Sequence, residues 1–132
     1  MRILYSKVTT QPGTEPVTLQ EAKTHLRVDH DDEDSLIDIL RQAARELAEQ
    51  FTNRSFITQG RTINLDYFPN CNTIQLPYGP IDSVNDITYY DENEDLQTLS
   101  DTLYWVDTDS NIARVIIKSS WPSTFDMPNA VI

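Results

Sequence analysis

Apolar residues recur at helical spacing through the first third of the chain and alternate from Phe56 onward, so the pattern predicts helices first and strands after. Thr18 and Glu21 have the spacing of a capping box, and Leu19, Ala22 and Leu26 then fall on one face of a short helix over about 18–26. A second helix is expected over about 32–52. Its apolar stripe is Leu36, Leu40, Ala43, Leu47 and Phe51, flanked by Ile37, Ala44 and Ala48. Asp31 or Asp32 is placed to cap its start, and Asn53 to stop it in the left-handed conformation. A helix with one apolar stripe must bury it, so Leu36, Leu40, Leu47 and Phe51 are expected in the core.

The second part reads as β. Thr62–Tyr67 alternates, Pro69–Asn72 turns the chain, and Thr73–Leu76 follows. Pro77 and Pro80 bracket Gly79 in a corner that cannot continue a ladder. Val84, Ile87 and Tyr89 suggest a strand that ends at the turn Asp91–Glu94, with Leu96–Leu99 returning. Tyr104–Val106 and Arg114–Lys118 are joined by a hairpin at Asp109–Asn111. Asn129–Ile132 looks like the start of one more strand. Ahead of the helices, the stub Met1–Lys7 suits an edge strand, and Thr9–Thr14 is a turn-rich lead. The expected fold is α+β: one domain over 1–132, with a two-helix segment (1–55) packed against an antiparallel, mainly β region (56–132). Tyr89, Tyr90, Tyr104, Trp105 and Trp121 fit a core at strand spacing better than a binding surface.

Charge changes this picture. Twenty-one acids against ten bases give a net charge of −11. Six of the ten residues from Asp29 to Asp38 are acidic: Asp29, Asp31, Asp32, Glu33, Asp34 and Asp38. They form the candidate acidic surface, facing DNA or a partner, and the alternative is a solvated run that keeps the chain soluble. Nucleic-acid binding by phosphate neutralisation needs a basic footprint, which this composition does not supply. No apolar run reaches membrane-spanning length, the N-terminal apolar stretch is too short for a secretory signal, and Cys71 is single. These features lead to the expectation of a cytoplasmic protein without membrane contact.

Chemistry is sparse. Asp107-Thr108-Asp109-Ser110-Asn111 opens like a calcium loop, but Ile112 stands where glycine is needed and Lys118 where the closing glutamate belongs. The run from Asp29 fails similarly, with Asp34 and Leu40 at those places. His25, His30 and Cys71 have no zinc spacing, and His25 suits the last carbonyls of the first helix instead. There is no nucleophile motif, and Gly13, Gly60 and Gly79 are too scattered for a phosphate loop. Neither a catalytic residue, a metal ligand nor a cofactor is expected.

The series Glu15-Pro16-Val17-Thr18-Leu19, His25-Leu26-Arg27-Val28, the acidic turn and a long helix closing in Phe51-Thr52-Asn53-Arg54 resembles the head–tail connector proteins of tailed phages. The likeness continues through Leu76–Val84, Ile87–Asp91, Tyr104–Asp107 and Trp121-Pro122. It implies a non-enzymatic adaptor or head-completion subunit of a phage or prophage. Such a subunit forms a ring with its own copies below the portal protein, meets tail-side connector proteins, and encloses a lumen through which DNA passes. The family also implies a further helical segment after Ile132, assembly in the host cytoplasm, and residence at the head–tail junction of the virion. The alternative from another class is an acidic DNA mimic that presents Asp29–Asp38 to a basic nucleic-acid-binding partner.

Overall fold

The computed structural model describes residues 5–132. Met1–Leu4, the first half of the expected N-terminal stub, lie outside the described residues. Strand β1 (Tyr5–Thr10) is followed by helices α1 (Leu19–Leu26) and α2 (Asp34–Thr52). Then come β2 (Gly60–Asn64), β3 (Thr73–Gln75), β4 (Thr88–Tyr90), β5 (Leu96–Thr98), a 3-10 turn at Asp101–Leu103, β6 (Tyr104–Asp107) and β7 (Arg114–Ile117). The class is α+β, with the helices early in the chain.

The strands are short and pair antiparallel in three small sheets: β1–β2, β3–β7–β6 and β4–β5. The β4–β5 turn is held by Asp91, whose carboxylate accepts from the amides of Asn93 and Asp95 and from the Gln97 side chain. The Asn93 amide is the main reason the Asp91 pKa lies below its ordinary value. At the β6–β7 hairpin, Asp107 accepts from the Ser110 hydroxyl and from Arg114, each at 2.8 Å. Its carboxylate therefore serves the turn. The sheets are joined by Ala130–Ile132, which exchange backbone hydrogen bonds with Leu65 on one side and with Thr88 and Tyr90 on the other. Ala130 and Val131 are buried.

The apolar core lies in this β part, among Leu65, Phe68, Ile74, Ile87, Leu99, Tyr104, Val115, Ile117 and Val131. Phe68 stacks on Trp121 with ring centroids 4.8 Å apart and meets Tyr89 edge-on at 5.6 Å. Tyr104 is buried, as expected, whereas Trp105 points outward beside Lys118. Val84 packs on the core from a loop, and the strand suggested there is confined to Thr88–Tyr90.

The helices correct several expectations. The α1 capping box forms: the Glu21 amide donates to the Thr18 hydroxyl, and the Thr18 amide donates to the Glu21 carboxylate, which lowers the Glu21 pKa. The last α1 carbonyls, of Lys23 and Thr24, accept from the amides of Val28 and Arg27 rather than from His25, because Arg27 turns left-handed (φ 58°) and carries those amides back onto the helix. α2 begins at Asp34, with Glu33 at the cap and no side-chain cap bond. Asp31 and Asp32 do not cap it; Asp31 is taken by Lys23. Asn53 ends α2 left-handed (φ 54°).

The largest correction concerns the stripe. Leu36, Leu40, Leu47 and Phe51, expected in the core, are exposed, Phe51 at 90%. α2 instead turns inward the face that carries Ile37, Arg45 and Glu49, all buried. The spacing was helical as read, but periodicity fixes only which residues share a face. What the face meets is decided by ion pairs that hold the opposite side inward.

Candidate functional site

Three features of the helical part stand out: a charged joint to the β part, an acidic corner between the helices, and the outward apolar face of α2.

The joint centres on Glu49, which is 1% exposed. Its carboxylate accepts from the Phe56 amide at 2.8 Å, from Gln59 Nε2 at 2.9 Å and from Arg45 Nη1 at 3.1 Å. Arg61, on β2, lies 3.6 Å away. Arg45 also donates to Glu15 at 2.7 Å, tying the segment before α1 to α2. Arg61 lays its guanidinium 3.8 Å over the ring of Tyr78, a residue held left-handed at φ 61°. Burial pushes the Glu49 pKa up, but the hydrogen bonds from Gln59 and Phe56 and the Arg45 charge outweigh it, and the carboxyl stays below the usual range. Burial likewise opposes the charge on Arg45, yet Glu15 and Glu49 raise its pKa. A polar cluster thus does the joining that apolar packing does elsewhere. Breaking one member of such a buried set leaves the others uncompensated.

The sequence carried a signal for the arginines of this cluster but not for their distant partners. Arg41 and Arg45 stand four apart on one helical face, where like charges repel unless acids accompany them. Arg41 meets Asp38 and the Val17 carbonyl, and Arg45 meets Glu15 and Glu49.

The acidic corner gathers the predicted residues without leaving them all free. Lys23, buried at the end of α1, reaches Asp31 at 2.6 Å and Asp34 at 2.7 Å. The hydrogen bonds to Asp31 and Asp34 raise the Lys23 pKa, and the bond from Lys23 lowers that of Asp31. Asp38 pairs with Arg41. Asp29, Asp32 and Glu33 remain exposed, with His30 Nδ1 3.8 Å from Asp32. Three of the six acids are therefore engaged within the chain, two of them in holding α1 to α2. Among the described residues, no group of three or more His, Cys, Asp or Glu is arranged to hold a metal ion. No described helix is long and apolar enough to cross a membrane.

The sequence profile of the phage gp6-like head-tail connector proteins matches residues 16–103. The chain belongs to that family. The connector match contains the acidic corner, the joint apart from Glu15, and the α2 face; β1, β6, β7 and Ala130–Ile132 lie outside it. Among solved structures, the connector fold is similar to a chain from the neck of an empty GTA particle computed with C6 symmetry. The TM-score is 0.74 at 20% identity, over 92% of this chain and 65% of that one. The connector chain thus spans just under two thirds of the neck chain's length. No curated protein matches the chain.

Proposed function

We propose that this connector is a structural subunit of a phage or prophage head–tail junction. It assembles with its own copies as a ring beneath the portal protein, meets tail-side connector proteins, and forms part of the wall past which DNA moves. The observation that carries the reading is the family match over residues 16–103, which spans both helices and the charged joint apart from Glu15. The fold likeness to a neck chain in a C6 particle supports a ring. The function is to join surfaces, with no bond made or broken.

Charge gives the lumen a physical role. At −11 per subunit, a ring accumulates negative potential, and a negative wall repels phosphate instead of gripping it. Asp29, Asp32 and Glu33 are the carboxylates free to supply that field at the α1–α2 corner, reinforced by Asp31, Asp34 and Asp38 after partial neutralisation. Co-sedimentation with the portal protein encoded in the same genome tests the reading. The expected result is a stable portal–connector complex. Capture of a basic DNA-binding protein by a connector that ignores the portal would support the DNA-mimic alternative and contradict the proposal.

A further inference from the structure

We infer that the buried set Glu15, Arg45, Glu49 and Arg61 is a latch, and that the pair α1–α2 swings as a unit relative to the β part when it opens. The latch belongs to the single subunit and does not depend on the ring.

The two parts are built on different chemistry. The core cluster of the β part draws its members from Leu65 to Val131, with none from either helix. The buried residues of the helices are Lys23, Ile37, Arg45 and Glu49, one apolar side chain against three charged ones. Lys23 ties α1 to Asp31 and Asp34, and Arg41 on α2 holds the Val17 carbonyl ahead of α1. These bonds make the helices and the residues just before them one body.

The chain passes between the two bodies twice, through residues 11–14 and residues 53–58, and neither passage lies in a helix or a strand. Arg45 and Glu49, one turn apart on α2 and bonded at 3.1 Å, grip both passages at one place. Arg45 holds Glu15 at the end of the first, and Glu49 holds the Phe56 amide in the second. Gln59 and Arg61 reach Glu49 from the far side of the second passage, at 2.9 and 3.6 Å. The Ser55 amide donates to the Gly79 carbonyl at 3.1 Å, which fixes the second passage to the β part and marks the pivot.

A grip of this kind opens in a way that an apolar interface does not. The two carboxylates and two guanidinium groups sum to zero charge, and their hold lies in directed bonds that water can replace. Arg45 Nη2, Gln59 Oε1 and Arg61 Nε are buried with no hydrogen-bond partner among the described residues, and each gains water when the set opens. Apolar groups gain nothing of the sort on exposure. Opening thus breaks bonds at one place and spares the β core, a sub-global motion. In the proposed junction, the helices then follow one neighbour while the β part stays on another.

Pulsed electron paramagnetic resonance tests this with one spin label on Cys71, exposed in the β part, and a second on Glu33→Cys, exposed at the α1–α2 corner. The labelled parent is compared, dilute and monomeric, with the same protein carrying Glu49→Gln or Arg45→Gln. Glu49→Gln removes the charge at nearly unchanged size and sets an amide N–H against Arg45. Far-UV circular dichroism reports the helices, and the near-UV signal reports the packing of Phe68, Tyr89 and Trp121 in the β core. The expected result is one narrow distance in the parent and a wider, shifted distribution in the variants, with both dichroism signals kept. Where one variant loses either signal, the other decides. A narrow, unshifted distance in every variant that stays folded would overturn the latch, as would a parent already as wide as the variants. Loss of the helical or the β-core signal in both variants would show one cooperative fold and overturn it equally.

Discussion

Replacing Glu49 by alanine removes the acceptor on which the joint between α2 and the β part converges. Three donors lose it: the Phe56 amide, Gln59 Nε2 and Arg45 Nη1, and Arg61 loses a nearby counter-charge. Arg45 keeps Glu15, so the loss there is partial, and the larger share falls on the Phe56 amide, Gln59 and Arg61. A buried donor left without a partner costs about 1–3 kcal/mol, and removing one member of a buried ionic set costs about 3–5 kcal/mol. Glu49→Ala should therefore destabilise by about 3–5 kcal/mol. With a urea slope of about 1.5 kcal/mol per molar, the unfolding midpoint falls by roughly 2–3 M. Leu40→Ala is the control. Its side chain is more than half exposed, so in the dilute monomer it should change stability by less than about 1 kcal/mol. The apolar pattern taken alone ranks the two variants the other way, with a buried leucine worth about 2–5 kcal/mol. Urea unfolding followed by circular dichroism decides between the rankings. A loss below 1 kcal/mol for Glu49→Ala, or a larger one for Leu40→Ala, would refute the inward charged face.

Three further outcomes are expected. Glu21, Glu49, Asp31, Asp91 and Asp107 all have pKa values below their ordinary ones, so each binds its proton less readily folded than unfolded; their stabilisation is present above the ordinary values of 4.5 (Glu) and 3.8 (Asp) and is lost as pH falls below them, which melting temperatures between pH 7 and pH 3 will show. A melting temperature that rises on acidification in that range would contradict this. Gly60→Ala places a Cβ 3.0 Å from Thr10 Cβ and Oγ1 at the β1–β2 bulge, so it should cost about 1–3 kcal/mol in urea unfolding, and an unchanged midpoint would show that the strands yield freely. Millimolar calcium or magnesium should leave the melting temperature unchanged, since Asp107 is occupied by Ser110 and Arg114 and Asp31 by Lys23; a shift of several degrees that a chelator reverses would overturn it.

The elements that local chemistry dictates were legible in the sequence. Thr18–Glu21 makes its capping box, Asn53 stops α2, and the turns at Asp91 and Asp107 pair the strands that flank them, because each device acts within a few residues. The family resemblance was legible too, and residues 16–103 carry it. What was not legible is what each face meets. Amphipathicity shows that α2 has an apolar side, but which side turns inward is decided here by charges distant in the sequence. Glu15 lies 30 residues before Arg45, and Gln59 and Arg61 lie beyond the helix, so no periodicity connects them. The acidic corner was half legible. Its composition stood out, but Lys23 arrives from the other helix, and only the folded corner shows it between Asp31 and Asp34.

The ring proposed for this connector would carry like charges that oppose its assembly until they are screened. Molar mass by light scattering, followed across protein concentration and salt, tests it most directly. At −11 per subunit, repulsion between copies is strong at 0.01 M salt, where the screening length is about 30 Å, and weak at 1 M, where it is about 3 Å. The expected result is a monomer or labile oligomer when dilute at low salt, moving to one closed ring mass as concentration and salt rise. A mass that stays at one subunit throughout, or an oligomer that dissociates as salt is added, would contradict it.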